Sequence, residues 1–290
     1  MDWKPAARRP QERLSSQPYD RWISPEGQCQ AEFHRMVGGF LIRFPGQGDF
    51  LLSPEANAVE FTVTGWPAPD CDDRTIINLY HNAIQPILGN HLGGLYLHGS
   101  AVRLDGAARD GAAGAVAFLG LSRGGKTTLA GSFAREGQPF LTEDVIDLRF
   151  DSGRYWVQPK RSKLRLFADS ARYLLGENAR VEDENLKQDV EAGGALPFAE
   201  NPAPLSQIYI LGTDHRAPLS IRQCSLQEAV SMLMPHAFIL DVEDKARLRG
   251  HFARIADLSQ DIRCYTLDFT RDYGELPRVR GAILGNVQGI

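Results

Sequence analysis

The segment 116–128 constrains the fold more than any other part of the chain, and it reads Val-Ala-Phe-Leu-Gly-Leu-Ser-Arg-Gly-Gly-Lys-Thr-Thr. Gly120, four intervening residues and then Gly125-Lys126-Thr127 complete the phosphate-binding loop pattern. An apolar β-type run at 115–119 precedes the loop, and apolar residues spaced four apart follow it, as in an amphipathic helix. A strand, a glycine-rich turn and a helix in this order predict an α/β domain.

The glycines of this loop let consecutive backbone N–H groups curl around phosphate oxygens, and the following helix adds its positive N-terminal end. Lys126 is predicted to reach the outer phosphates and Thr127 to give its hydroxyl to Mg²⁺. Arg123 stands where small residues are usual, so it either touches phosphate or points to solvent. The predicted nucleotide-binding residues of the loop are Gly120, Ser122, Arg123, Gly124, Gly125, Lys126, Thr127 and Thr128.

Composition excludes several other classes of protein. The net charge of -4 argues against a dedicated nucleic-acid binder, and the 43% apolar content is ordinary for a globular protein of 290 residues. The four cysteines are far apart and are predicted to be reduced thiols. There is no apolar run of ~18 residues and no signal-peptide core, so we expect a cytoplasmic protein without membrane partners.

Three regions are expected along the chain. Residues 1–17 are polar and are predicted to form a mobile tail; 18–90 form a β-rich subdomain, and 91–290 the catalytic domain. Within the subdomain, strands are predicted at 31–36, 39–44, 50–53 and 58–64, and a helix at 73–88 that ends at Gly89. In the catalytic domain, later strands are predicted at 204–211, 219–223 and 262–269, and helices at 226–234, 244–258 and 275–284.

The strand that enters the loop has an unusual neighbour. Residues 95–104 form a predicted strand, and the turn 105–114 is too short to hold a crossover helix. The two strands should therefore pair antiparallel, whereas most phosphate-loop enzymes feed the loop from a parallel sheet. A mixed sheet is the consequence.

Glu143 and Asp144 follow the first apolar run after the loop helix. A phosphoryl-transfer enzyme needs two carboxylates there, one to hold Mg²⁺ and one to accept a proton. A solvated turn is the alternative, and the upstream loop disfavours it. Neighbouring side chains of an extended strand point to opposite sides, so both can face one atom only if the strand bends.

His98-Gly99, the phosphate loop and the acidic pair together resemble the catalytic domain of the bacterial HPr kinase/phosphorylase family, whose fold resembles phosphoenolpyruvate carboxykinase. The 98–102 strand, the β-rich N-terminal part and the segment 159–170 look more like the HPr-kinase-like enzymes encoded beside lasso-peptide genes, which phosphorylate a precursor peptide on serine. The likeness is good over 94–150. It implies a phosphate-loop kinase core of mixed α/β fold behind an N-terminal β-rich subdomain.

The resemblance also implies roles for residues. Lys126 and Thr127 take the triphosphate and Mg²⁺, His98 lies beside the phosphates, and Glu143-Asp144 stands where the family has two aspartates. By position in the family pattern, Glu143 is predicted to be the base and Asp144 the metal-side group. No copy of the family's C-terminal dephosphorylation signature is found, which favours a dedicated kinase.

A basic segment follows the acidic pair. Lys160, Arg161, Lys163 and Arg165 place four positive charges within six residues, either to meet developing charge near the phosphates or as a solvated face. Arg165 lies between apolar residues, so it is the candidate to point inward and to bind the nucleotide. Residues 176–202 are predicted to be a lid or a disordered loop, with Lys187 as a candidate ligand of nucleotide or substrate. His236 and His251 lie in outer elements and are interpreted as structural.

These observations predict an ATP- and Mg²⁺-dependent kinase that transfers the γ-phosphoryl group to a serine hydroxyl of a peptide or small protein, such as a lasso-peptide precursor. A kinase of a free metabolite, such as an amino acid, is one alternative. A regulatory protein that binds ATP without transfer is another, although it would need no base. The expected partner is the acceptor substrate, with no nucleic acid and no membrane, and the sequence is compatible with a homo-oligomer.

Overall fold

The structure is a computed structural model, and it describes residues 3–24, 26–55, 60–108, 110–176, 179 and 187–289. The chain divides into two compact units. The first comprises Met1–Gly93 and Phe238–Leu248, and the second comprises Gly94–Ala237 and Arg249–Ile290. The sequence-based boundary between 90 and 91 lies close to the first break, but 238–248 belongs to the first unit rather than to the region after 91.

The first unit contains an antiparallel sheet in which each strand pairs with the next. Its strands are β1 (Asp20–Ile23), β2 (Cys29–Met36), β3 (Gly39–Phe44), β4 (Gly48–Pro54) and β5 (Phe61–Pro67). Strands were predicted at 31–36, 39–44, 50–53 and 58–64, and each coincides with one of these, although residues 58 and 59 lie outside the described part of the chain. The residues predicted as a tail run beside β5, where Ala6 N–H donates to Gly65 O at 2.9 Å.

A helical segment follows this sheet. It consists of α1 (Asp73–Leu79), one π-helical stretch (Tyr80–Ile84) and α2 (Gln85–His91). Asp72 caps its start, because its side chain accepts a hydrogen bond from Thr75 N. The predicted stop at Gly89 differs from the structure, because Gly89 is helical and the left-handed residue that ends the run is Gly93 with φ +95°.

In the described residues, the second unit is built on an eight-stranded sheet, which is mixed, as the sequence predicted. Its strands are β6 (Leu95–Leu104), β7 (Gly114–Leu119), β8 (Phe140–Thr142), β9 (Val145–Asp151), β10 (Arg154–Gln158), β13 (Ala203–Leu211), β14 (Ser220–Gln223) and β15 (Arg263–Asp268). The remaining pair, β11 (Lys163–Leu166) and β12 (Gln188–Glu191), forms a separate antiparallel ribbon. β6 and β7 pair antiparallel, while β7, β13 and β15 run parallel to one another.

Helices cover both faces of this sheet. They are α3 (Lys126–Arg135), α4 (Ala168–Leu175), α5 (Leu226–Leu233), α6 (Lys245–Asp261) and α7 (Leu276–Gln288). One apolar cluster joins the sheet to α3, α4 and α7, and the other joins it to α5 and α6. Of the predicted 176–202 loop, β12 is ordered as a strand, and residues 177, 178 and 180–186 lie outside the described residues. None of the described helices has the length and apolar character that a membrane crossing requires.

Candidate functional site

The glycine-rich loop joins β7 to α3. Gly120 has φ +155°, and a Cβ at this position would lie 3.1 Å from Leu211 Cβ on the adjacent strand. Gly125 caps α3 in the left-handed conformation at φ +92°, which favours glycine. Arg123 is exposed, and its guanidinium carbon lies 5.1 Å from the centre of the Phe167 ring. The loop therefore has the backbone shape that its glycines predict.

Lys126 is folded back into the curve of this loop. Its Nζ donates to Gly120 O at 2.9 Å and to Leu121 O at 3.0 Å, and the side chain is buried. Burial lowers the pKa of this ammonium to about 8, with a further lowering by the charge of Lys187 against a raising by Asp144. The Lys126 ammonium is thus held by carbonyl groups of the loop, and a bound anion could replace these carbonyl groups as its partner.

The remaining loop residues take different environments. Thr128 Oγ1 lies 2.9 Å from Ser170 Oγ on α4, so its hydroxyl is engaged by a helix rather than by the loop. Gly124 O accepts a hydrogen bond from Arg271 Nε at 3.1 Å, and Ser122 is exposed. Arg271, which follows β15, also donates to Gly212 O at 2.8 Å and so ties the loop to the end of β13.

The two predicted carboxylates lie between β8 and β9, where the chain bends. Asp144 has φ +63°, and Glu143 Oε1 and Asp144 Oδ1 lie 3.6 Å and 3.7 Å from the same atom, Lys187 Nζ. The bend is the condition under which neighbouring side chains can meet one atom. Lys187, a candidate from sequence, is therefore brought into the same cluster as Glu143 and Asp144.

These carboxylates differ in their electrostatics. Burial, and next the charge of Asp144, raises the pKa of Glu143 to about 8, and Thr127 Oγ1 donates to Glu143 Oε1 at 3.1 Å. Burial also acts to raise the pKa of Asp144, but Lys187, His98 and Arg165 together lower it to about 2. Burial therefore favours the protonated form of Glu143, whereas the positive charges of Lys187 and Arg165 favour the ionised form of Asp144.

His98 lies on β6 next to this pair. The N–H of the following residue, Gly99, donates to Asp144 O at 3.2 Å, so the histidine strand and the acidic bend are joined through their backbones. Burial, followed by the charge of Lys126, lowers the pKa of His98 to about 4. The ring is thus a neutral imidazole at physiological pH, with one N–H donor and one acceptor nitrogen.

The ribbon of β11 and β12 carries the basic residues towards the carboxylates. Arg165 NH1 lies 4.0 Å from Asp144 Oδ2, and Arg165 Nε lies 3.5 Å from Asp189 Oδ1. Asp189 also pairs with Lys163, so it orients two cations of this segment. Lys160, in contrast, pairs with Asp147 at 2.6 Å. Arg165 thus faces the site, as its apolar neighbours predicted.

Asp189 and Arg271 lie near this site and were not predicted from the sequence. The sequence also did not predict that His236 lies near it. Asp189 had a weak signal, because it lies two residues after Lys187 in an acidic segment. Arg271 had no sequence signal, since its contacts with the loop and with Gly212 arise only because the ends of β13 and β15 lie side by side. His236 was interpreted as structural, and it is buried; yet burial, His98 and Lys126 in that order lower its pKa to about 4.

Oxygen donors suited to Mg²⁺ meet at the start of α3. Thr127 hydroxyl and the Glu143 carboxylate are adjacent, and hard oxygen ligands of this kind are those that Mg²⁺ prefers. Within the described ranges, no group of three or more His, Cys, Asp and Glu side chains is arranged as a metal cage. The donor set thus fits an ion held by few protein oxygens together with phosphate and water.

Comparisons with known proteins give a limited result. A scan against protein-family models finds no match, and a search of curated proteins finds none either. Among solved structures, the chain is similar to the HPr(Ser) kinase/phosphatase from Coxiella burnetii, with 12% sequence identity and a TM-score of 0.35, over 67% of this chain and 97% of that chain. A TM-score at this level assigns no function to the chain.

Proposed function

We propose that the protein is an ATP-dependent kinase that transfers the γ-phosphoryl group to a serine hydroxyl of a peptide or small protein. The convergence of a loop lysine, a hydroxyl at the start of α3 and two buried carboxylates carries this proposal. Thr127 and Glu143 are in hydrogen-bond contact, and Lys187 joins Glu143 to Asp144. A protein that only binds a nucleotide has no need for a second buried carboxylate beside the first.

Contacts favour an exchange of the two carboxylate roles that the family pattern suggested. Glu143, rather than Asp144, contacts Thr127, so Thr127 and Glu143 would hold Mg²⁺. When bound, Mg²⁺ neutralises charge on the phosphates of the nucleotide. Asp144 is then the ionised carboxylate left to accept a proton, with Lys187 and Arg165 beside it. A weak base suffices, because the hydroxyl proton leaves late in a loose transition state.

The proposed transfer is an in-line displacement at the γ-phosphorus. The serine oxygen forms a bond to the γ-phosphorus while the bond from that phosphorus to the bridging oxygen of the leaving diphosphate breaks. The hydroxyl proton passes to an oxygen of Asp144, and ADP departs. The Lys126 ammonium would exchange its hydrogen bonds to Gly120 O and Leu121 O for contacts with the outer phosphates and would stay with them during the transfer.

The acceptor class rests on the resemblance carried by His98-Gly99, the loop and the acidic pair, and a ribosomal lasso-peptide precursor is the proposed case. Acceptor chemistry can be tested independently of nucleotide binding.

The full chain should be incubated with γ-labelled ATP, Mg²⁺ and a panel of serine peptides and free amino acids, with products read by mass spectrometry. We expect a phosphoserine peptide, loss of turnover with EDTA, and a fall of ~100-fold or more for Lys126→Ala. Thr127→Ala should raise the Mg²⁺ concentration needed for half-maximal rate. Label on a free amino acid alone would identify a metabolite kinase. Tight ATP binding that depends on Lys126, with no acceptor labelled, would instead indicate a binding protein.

A further inference from the structure

His236 lies in a turn that is bridged to β6, the strand that carries His98. It ends the short 3₁₀ turn Met234–His236 after α5, and the next residue, Ala237, forms an antiparallel bridge with Leu97 of β6. In an antiparallel register, residues one step either side of a bridged pair are also opposite each other. His236 immediately precedes the bridged Ala237, and His98 immediately follows the bridged Leu97 on β6, so the two histidines lie on the same side of the bridge along the antiparallel chains.

The free edge of β6 fixes where this turn lies. At Leu97 one edge of β6 is taken by Ile146 of β9, so Ala237 must occupy the other. That other edge carries β7, whose pairing with β6 stops at Gly99 and Leu119. The turn thus continues the line of β7 beyond the point where Gly120 begins the phosphate loop.

The surroundings of His236 agree with this placement. The residue is buried at 9% exposure, and its neutral ring lies within electrostatic reach of His98 and Lys126. A neutral imidazole keeps one N–H donor whatever its tautomer. Near Lys126 such a donor adds hydrogen-bonding capacity for an anion without adding a charge that would repel the ammonium. Both imidazoles therefore lie within electrostatic reach of the lysine of the loop.

We infer that His236 is a further phosphate-binding residue of this site, which donates a hydrogen bond to the outer phosphates of the nucleotide on the side of Lys126 and His98. The inference rests on the proposed nucleotide site, and it extends that site to a residue over 100 positions beyond the loop in the sequence. A structural histidine would instead contribute to folding alone. The two interpretations differ in whether ATP and AMP are affected alike.

The test measures the affinities of the full chain for ATP and AMP by calorimetry in the presence of Mg²⁺. His236→Phe keeps a buried ring without a donor, and we expect ATP binding to weaken ~10-fold or more while AMP binding is unchanged. His236→Gln carries an amide donor, and its ATP affinity should stay within ~3-fold of the parent. His251→Gln replaces a buried histidine of α6 that contacts Arg254, and it should leave the ratio of the two affinities unchanged.

Thermal melting establishes that each variant is folded, and His236→Leu, which also lacks a donor, replaces His236→Phe if the latter fails to fold. Equal weakening of ATP and AMP, or ATP affinity as tight as in the parent, would overturn the inference. Lys126→Ala separates this failure from a failure of the proposed function. If Lys126→Ala loses the preference for ATP and His236→Phe keeps it, only the role of His236 is wrong. A parent that does not distinguish ATP from AMP would overturn both.

Discussion

Glu143→Gln should stabilise the nucleotide-free protein at alkaline pH. The pKa of Glu143 is raised from its ordinary 4.5 to about 8, by burial first and by Asp144 second. A carboxyl with a raised pKa in the folded state contributes stability that is complete below pH ~4.5 and is lost as the pH rises through ~8. Glutamine has the shape of the protonated acid and cannot ionise, so the variant does not lose this contribution.

The size of the effect follows from the same pKa. A change from 4.5 to about 8 corresponds to an upper limit of roughly 5 kcal/mol, at about 1.4 kcal/mol for each pH unit. Relaxation and water penetration around buried charges reduce such limits, so we expect a gain of ~1–3 kcal/mol at pH 8.5. At pH 5 the gain should be close to zero, because the parent is then protonated at Glu143.

Urea unfolding of parent and variant at pH 5, 7 and 8.5, without Mg²⁺ or nucleotide, measures this difference. Asp144→Asn is the matched control with the opposite sign. The pKa of Asp144 is lowered to about 2 by Lys187 and its neighbours against the effect of burial, so its ionised form stabilises the protein above pH ~4 and the amide should cost ~1–2 kcal/mol at pH 7. A Glu143→Gln stability gain that is the same at pH 5 and pH 8.5 would refute the assignment of a raised pKa to Glu143.

Two further predictions concern Lys187 and Gly125. Lys187→Met removes the cation 3.7 Å from Asp144, so the pKa of Asp144 should rise and the rate of transfer should fall ~10-fold or more at pH 6, with partial recovery at higher pH. Lys163→Met, which removes only a partner of Asp189, is the control. Equal pH profiles of the two variants would contradict the role of Lys187. Gly125→Ala places a Cβ at φ +92°, so it should lower the free energy of unfolding by ~1–2 kcal/mol and weaken ATP binding. Urea unfolding measures the first effect and calorimetry the second. Gly137→Ala, at φ +86°, is the control, which should lose similar stability and leave ATP affinity intact. Unchanged ATP affinity in Gly125→Ala would count against the loop as a nucleotide site.

Local patterns predicted the parts of the fold that depend on neighbours in sequence. The antiparallel pairing of β6 with β7 followed from a turn too short for a helix, and it led to the mixed sheet. The loop between β7 and α3 followed from its glycines, and Gly120 and Gly125 adopt φ angles that a residue without Cβ adopts more easily than others. In both cases the constraint is steric and acts within a few residues.

The parts that were not predicted depend on contacts between distant segments. Asp189 contacts Lys163 and Arg165 because β12 pairs with β11. His236 lies near His98 and Lys126 because the bridge from Ala237 to Leu97 joins its turn to β6. Neither contact leaves a periodic or compositional signal, since one polar residue in a short outer element looks the same whether it faces solvent or a site. The prediction that the helix ends at Gly89 was wrong for a related reason, because tertiary packing of α2 outweighs the local cost of a glycine within a helix.

The bend at Glu143 and Asp144 links backbone strain to the choice of test variants. A left-handed conformation costs an ordinary residue ~1 kcal/mol, but aspartate and asparagine tolerate it better than other residues. Two backbone hydrogen bonds hold the bend, from Val145 N–H to Glu143 O at 2.8 Å and from Gly99 N–H to Asp144 O at 3.2 Å. Asp144→Asn therefore keeps the turn and removes only the charge, whereas Asp144→Ala would add backbone strain to the loss of the carboxylate. A loss of transfer in Asp144→Asn with the fold retained would thus report the chemistry of the carboxylate rather than the geometry of the bend.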